Sequence, residues 1–208
     1  MQPELMIDIE TLGTRPGSKI LSVGWCLFQG YRQVFHPSAT EQGVYESVRS
    51  EPKILSHGQF ALDLPQQDAA GLVEDPETVL WWKNLPTEAN LALEVLQAEM
   101  TVTAEAAFAA ISRLCEAADQ VWANGPEIDI ILLDEYFIAT LGKRFPAKFW
   151  AWNQTRSVAD LAEIVSGKDS KVLRPKPEIA HDAGHDCVAQ SKWMLNCRAA
   201  VLGLPLPF

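Results

Sequence analysis

The apolar run Leu5-Met6-Ile7 continues as Asp8-Ile9-Glu10, so two carboxylates stand in a segment otherwise suited to the interior of a sheet. Successive side chains of a strand point to opposite faces. Asp8 and Glu10, two apart, therefore share one face, and in so apolar a run that face should be core. Two carboxylates there repel and are poorly solvated unless a cation lies between them. Mg2+ or Mn2+ is the natural choice, because hard divalent ions take oxygen ligands and often keep waters for a phosphate substrate. The alternative is that the strand ends at Asp8 and both acids face solvent. In a chain with 27 acidic residues, Asp-x-Glu alone does not decide.

Around this segment the pattern is that of a layered α/β domain. Residues 19–28 read as a second strand, joined to the first by turn chemistry at Arg15-Pro16-Gly17-Ser18. A third strand is expected over 31–35, and residues 37–75 read as loops with short elements. Helical patterns follow over 76–84, 87–97 and 103–118, then a buried strand over 120–123 that stops at Asn124-Gly125-Pro126. A helix over 127–141, a last strand over 149–152 and helices over 157–165 and 183–202 complete the expectation. Strands first, then helices interleaved with later strands, describe a mixed sheet with helices on its faces.

Composition narrows the function classes. A chain of 208 residues, 48% hydrophobic, is long enough for one well-buried core, and a single domain over 1–208 is expected. A net charge of −10 argues against a broad basic face that grips duplex DNA through many phosphates, so any nucleic-acid contact should be local or metal-mediated. Four scattered cysteines suggest neither a zinc site nor a disulfide framework. No segment has a signal-peptide pattern or approaches the roughly 18 uninterrupted apolar residues of a membrane span. The chain is expected to be cytoplasmic, with no membrane partner. A homodimer is left open.

Two further groups carry chemistry. Asp129 opens a helix behind a strand end, where open α/β sheets place ligand-binding groups, although a helix N-terminus favours an acid in any case. The segment His181-Asp182-Ala183-Gly184-His185-Asp186 packs two imidazoles and two carboxylates ahead of the last helix.

Asp-Ile-Glu-Thr at 8–11, Asn-Gly-x-x-x-Asp at 124–129 and His-x-Ala-x-x-Asp at 181–186 stand in the order of three exonuclease motifs. On them the chain resembles the DEDDh superfamily of 3'→5' exonucleases. Thr78-x-x-Trp81-Trp82-Lys83-Asn84, Trp152-Asn153-Gln154 and Ala180-His181-Asp182-x-x-His185-Asp186-Cys187 resemble, more narrowly, phage-type exodeoxyribonuclease A and related bacterial exoribonucleases. After Gln154 the run Thr155-Arg156-Ser157-Val158 departs from that pattern, and no role is carried over to Arg156.

The resemblance implies a ribonuclease H-like fold in which Asp8, Glu10, Asp129 and Asp186 hold two divalent ions, Mg2+ or Mn2+, around a terminal phosphodiester. It implies that His181, five before Asp186, is the general base, since the tyrosine branch of the superfamily would place Tyr where Asp182 stands. Imidazole suits proton transfer at neutral pH. Thr11, Leu12 and Asn124 would contact the 3'-terminal nucleotide. His185 should point about 100° away from Asp186 on the helix, outside the metals.

The activity so implied is hydrolysis from the 3' end of single-stranded nucleic acid to nucleoside 5'-monophosphates, with DNA favoured over RNA. A ribonuclease H-like endonuclease and a binding protein without turnover are the competing classes. Lys168, Lys171, Arg174 and Lys176 form a basic loop that either guides the strand or is merely solvated. Trp81 and Trp82 read as packing rather than base stacking.

Overall fold

The computed structural model describes residues 2–31, 33–34, 48–49 and 51–208. Its centre is a six-stranded mixed sheet built on β1 (Glu4–Thr11) and β2 (Ile20–Gln29). These two strands pair antiparallel with Asp8 opposite Gly24. The turn between them has Gly17 at φ 85°, a left-handed value open to glycine, and Ser18 N–H donates to Arg15 O at 3.0 Å.

On one side of β1 lie β7 (Gln120–Ala123) and β8 (Trp152–Gln154), both parallel in their pairing. On the other side β2 pairs antiparallel with β5 (Lys53–Leu62), and β5 pairs in parallel with the short β6 (Thr101–Val102). The order is β6-β5-β2-β1-β7-β8. A separate two-residue pair joins β3 (Gln33–Val34) to β4 (Val48–Arg49).

The helices are α1 (Leu64–Ala69), α2 (Pro76–Lys83), α3 (Thr87–Glu99), α4 (Ala104–Ala117), α5 (Asp129–Leu141), α6 (Thr155–Ser166) and α7 (Ala183–Val201). Their starts follow local chemistry. Asp75 caps α2 by accepting from Glu77 N at 2.9 Å with Pro76 in the first turn, and Thr103 caps α4.

Strand alternation divides the core. Leu5, Ile7 and Ile9 of β1 join Val23, Phe60 and the buried faces of α4 and α5 in the larger cluster. Met6, Cys26 and Phe28 face the other way, toward Cys187, Met194 and Leu195 of α7. Helices thus cover both faces, as a mixed sheet with two apolar faces requires.

Three expectations need correction. Residues 53–62, expected in a loop region, form a ten-residue strand; the outer half of β5 is largely exposed and carries Lys53, Ser56 and His57, so no apolar run announces it. Residues 149–151 form a single 3-10 turn rather than strand, and β8 begins only at Trp152. Of the expected strand over 31–35, Gln33–Val34 is extended, Tyr31 turns with φ 54°, and Arg32 and Phe35 lie outside the described residues. The four cysteines are free, as their spacing suggested. Among the described residues no helix is long and apolar enough to cross a membrane.

Candidate active site

The even-numbered residues of β1 meet α7 in reverse order. Glu4 accepts two bonds from Arg198, at 2.6 and 2.8 Å; Met6 shares an apolar cluster with Met194; Asp8 accepts from Gln190 Nε2 at 2.7 Å; and Glu10 faces Asp186. Two strand residues advance about 6.7 Å and four helix residues about 6 Å, so a stripe at 186, 190, 194 and 198 stays in step with 4, 6, 8 and 10. The apolar and ion-paired rungs hold the helix down; the other two carry carboxylates to the C-terminal end of β1.

Close approach of α7 depends on a missing side chain. Gly24, opposite Asp8, lies under the start of the helix, where a Cβ would stand 2.0 Å from Ala183 O and 2.6 Å from Gly184 N. The same helix start is tied down from β5. Gln59 Nε2 donates to Asp182 Oδ2 at 2.8 Å while its Oε1 accepts from Gly184 N at 2.9 Å, and Asp182 caps α7 through His185 N at 3.0 Å. Gly24→Ala should therefore displace α7, lowering the urea unfolding midpoint by the equivalent of about 3 kcal/mol, the upper end for overpacking. An unchanged midpoint would show that the helix does not rest on Gly24.

His181 lies just ahead of α7 with φ 63°, a left-handed value uncommon outside glycine, and its N–H donates to Asp186 Oδ2 at 2.9 Å. The loop bends back on the helix that carries Asp186. This brings ligand atoms of Glu10, His181 and Asp186 within 4.8 Å of one another. Asp129 enters from the end of β7, where Gly125 N donates to its Oδ2 at 3.2 Å. It lies close enough to raise the proton affinity of Asp8 and Glu10.

The electrostatics are those of buried like charges. Burial, then Asp129, Glu10 and Asp186, pushes Asp8 well above the usual carboxylate range. Burial, followed by Asp186 and Asp129, raises Glu10 from 4.5 to about 8, and burial raises Asp129 from 3.8 to about 7. Asp186 is also raised, chiefly by burial. Such a group is costly until a cation neutralises it, and its oxygen-rich donor set suits hard divalent ions.

A pH dependence follows. Glu10 keeps its proton in the fold up to about 8 but loses it near 4.5 when unfolded. The native state then binds more protons across this window, so stability falls as pH rises through it and is flat outside. With chelator the melting temperature should drop between about pH 5 and pH 8, and Mg2+ should restore the upper end. Melting curves that rise with pH in chelator would contradict this.

The other predicted residues separate. Thr11 lines a groove of about 480 Å3 with Ile9, Glu10, Thr14, Thr78 and Trp81. Leu12 is half-buried, bonded through its backbone to Lys19 and Asp75, and does not line that groove. Asn124 is half-buried, and its Oδ1 has no hydrogen-bond partner among the described residues. His185 points away from the cluster, 3.5 Å from Asp182 and beside a cavity of about 350 Å3 with His57, Lys176 and Lys192. Of the basic loop, Lys176 reaches that cavity, while Arg174 lies over Trp193, 5.1 Å from the ring centre.

The tryptophans divide. Trp82 is buried and donates to Thr11 O at 2.8 Å, whereas Trp81 is 44% exposed in the groove and meets His181 edge to face at 4.9 Å. Gly24, Gln59 and Gln190 escaped sequence reasoning. Only Gly24 had a local signal, a glycine inside a strand pattern, which marks close backbone approach.

Exonuclease I is similar to this chain in fold, in a structure described as suggesting how processivity is achieved: TM-score 0.56 at 14% identity, covering 94% of this chain and 41% of that one. E. coli exonuclease I with a dA16 oligonucleotide gives 0.53 at 14% identity, covering 95% and 41%. The zinc-bound form of the E. coli exonuclease I–single-stranded DNA complex gives 0.53 at 12% identity, covering 96% and 40%. The chain thus spans about two-fifths of the length of those proteins. No curated protein sequence matches it. The family model described as "3'-5' exoribonuclease Rv2179c-like domain" matches residues 3–198, and the chain belongs to that family.

Proposed function

We propose that the chain removes nucleotides one at a time from the 3' end of single-stranded nucleic acid, using Asp8, Glu10, Asp129 and Asp186 to hold two divalent ions and His181 as general base. The observation that carries this is the convergence of Glu10, His181 and Asp186 ligand atoms within 4.8 Å, beside two further buried carboxylates. Mg2+ or Mn2+ bound there would stabilise charge on the departing 3'-oxygen and acidify the attacking water.

The protein's own groups do the rest. His181 imidazole takes the proton of the attacking water as its oxygen bonds to phosphorus. The bond to the 3'-oxygen breaks, a nucleoside 5'-monophosphate leaves, and the shortened strand recovers a 3'-hydroxyl by protonation. Edge contact with Trp81 limits how the imidazole can turn. Trp81 also offers an exposed ring in the groove beside Glu10 and Thr11, where the terminal base would stack.

The family description supports RNA as substrate, against the DNA preference suggested by the motifs; the exonuclease I structures with DNA oligonucleotides support the DNA reading. Incubating the protein with 5'-labelled RNA and DNA oligonucleotides in Mg2+, Mn2+ or chelator separates them. A ladder shortening from the 3' end, present with metal and absent with chelator, is the expected result. Internal cleavage products, or no cleavage of either polymer, would sink the reading.

A further inference from the structure

Gln190 sits one helical turn beyond Asp186 on the stripe of α7 that faces β1, and it is 2% exposed. Its Nε2 donates to Asp8 Oδ1 at 2.7 Å, and its Oε1 is buried without a hydrogen-bond partner among the described residues. A buried amide oxygen left unpaired costs about 1–3 kcal/mol. Leucine or methionine, of similar size and at home between Cys187 and Met194, would avoid that cost. The amide is therefore explained by its donor, and the group it serves is a carboxylate of the candidate metal centre.

We propose that Gln190 is a positioning residue for the metal centre: by occupying Oδ1 of Asp8 it fixes the carboxylate plane and leaves Oδ2 to face the ion. The two other acidic rungs of the strand show how this position differs. Glu4 uses both oxygens on Arg198, and Glu10 stands against Asp186 and His181. Glu4 Oε2 also takes the Trp122 indole N–H, but there Arg198 holds both oxygens, whereas the bond to Asp8 comes from an uncharged amide. Such a donor orients the carboxylate without competing for it as a cation would, and without an added negative charge.

The inference rests on the metal-dependent reading above, and the test keeps the two apart. Gln190→Met removes the donor with little change of bulk, and Gln190→Asn retracts it by one methylene. In calorimetry without substrate, Mn2+ should bind about 10-fold more weakly to either variant than to the wild type, the lower end for loss of a group that orients a metal ligand. The Mn2+ concentration for half-maximal cleavage should rise in parallel, with the KM for a single-stranded oligonucleotide essentially unchanged. A variant that melts as the wild type does in chelator and binds Mn2+ equally well would overturn the proposal. So would failure of both variants to fold, which would make Gln190 a packing residue. If the wild type itself neither binds Mn2+ nor cleaves, the metal-dependent reading fails instead.

Discussion

Asp8→Asn is expected to lower the rate of nucleotide release by about 1,000-fold or more, while leaving the protein folded. The loss corresponds to about 4 kcal/mol of transition-state stabilisation, the scale on which a metal ion acts at a developing phosphate charge. Asparagine keeps an oxygen for Gln190 Nε2, so the rung between β1 and α7 survives. Replacing the carboxyl by a neutral amide also removes a buried acid whose proton affinity is raised by burial and by Asp129, Glu10 and Asp186. In chelator at about pH 8 the variant should thus melt no lower than the wild type, yet gain much less from Mg2+. Steady-state cleavage of a 5'-labelled oligonucleotide and melting with and without Mg2+ measure both halves. Wild-type turnover in this variant would remove Asp8 from the metal centre.

His181→Asn should reduce kcat by about 100- to 10,000-fold, the range for loss of a positioned general base. Asparagine suits the left-handed backbone at this position, where φ is 63°, and preserves the N–H that holds Asp186 Oδ2. Because the imidazole also lies within 4.8 Å of Glu10 and Asp186, metal affinity must be measured beside turnover. A base role predicts a large fall in kcat, Mn2+ affinity close to wild type, and a deficit that narrows at high pH as hydroxide replaces the assisted water. A fall in metal affinity with kcat intact at saturating Mn2+ would instead make His181 a ligand. Unchanged nuclease activity would exclude both roles and leave the endonuclease-like reading of the fold.

The fold was most legible where one strand or helix carries its own pattern. The alternation of β1, the turn at Gly17, the stop after β7 and the long C-terminal helix were each readable from local residue types, because side-chain periodicity and turn chemistry act within a few residues. β5 was not. Its outer half is solvent-facing and polar, and its place between β2 and β6 is decided by pairing partners distant in sequence.

The candidate site divides in the same way. Asp8, Glu10, Asp129, His181 and Asp186 were named together from three motifs whose order resembles the DEDDh exonucleases, since Asp-x-Glu by itself decides nothing in a chain with 27 acidic residues. Their convergence depends on contacts that no local window contains. α7 must run antiparallel to β1 so that a four-residue helical step matches a two-residue strand step, and bare backbone at Gly24 must let it approach. The separation of Trp81 from Trp82 likewise belongs to the tertiary structure. Adjacent helical side chains diverge by about 100°, and only packing against β1 and the preceding loop determines which one faces the carboxylates.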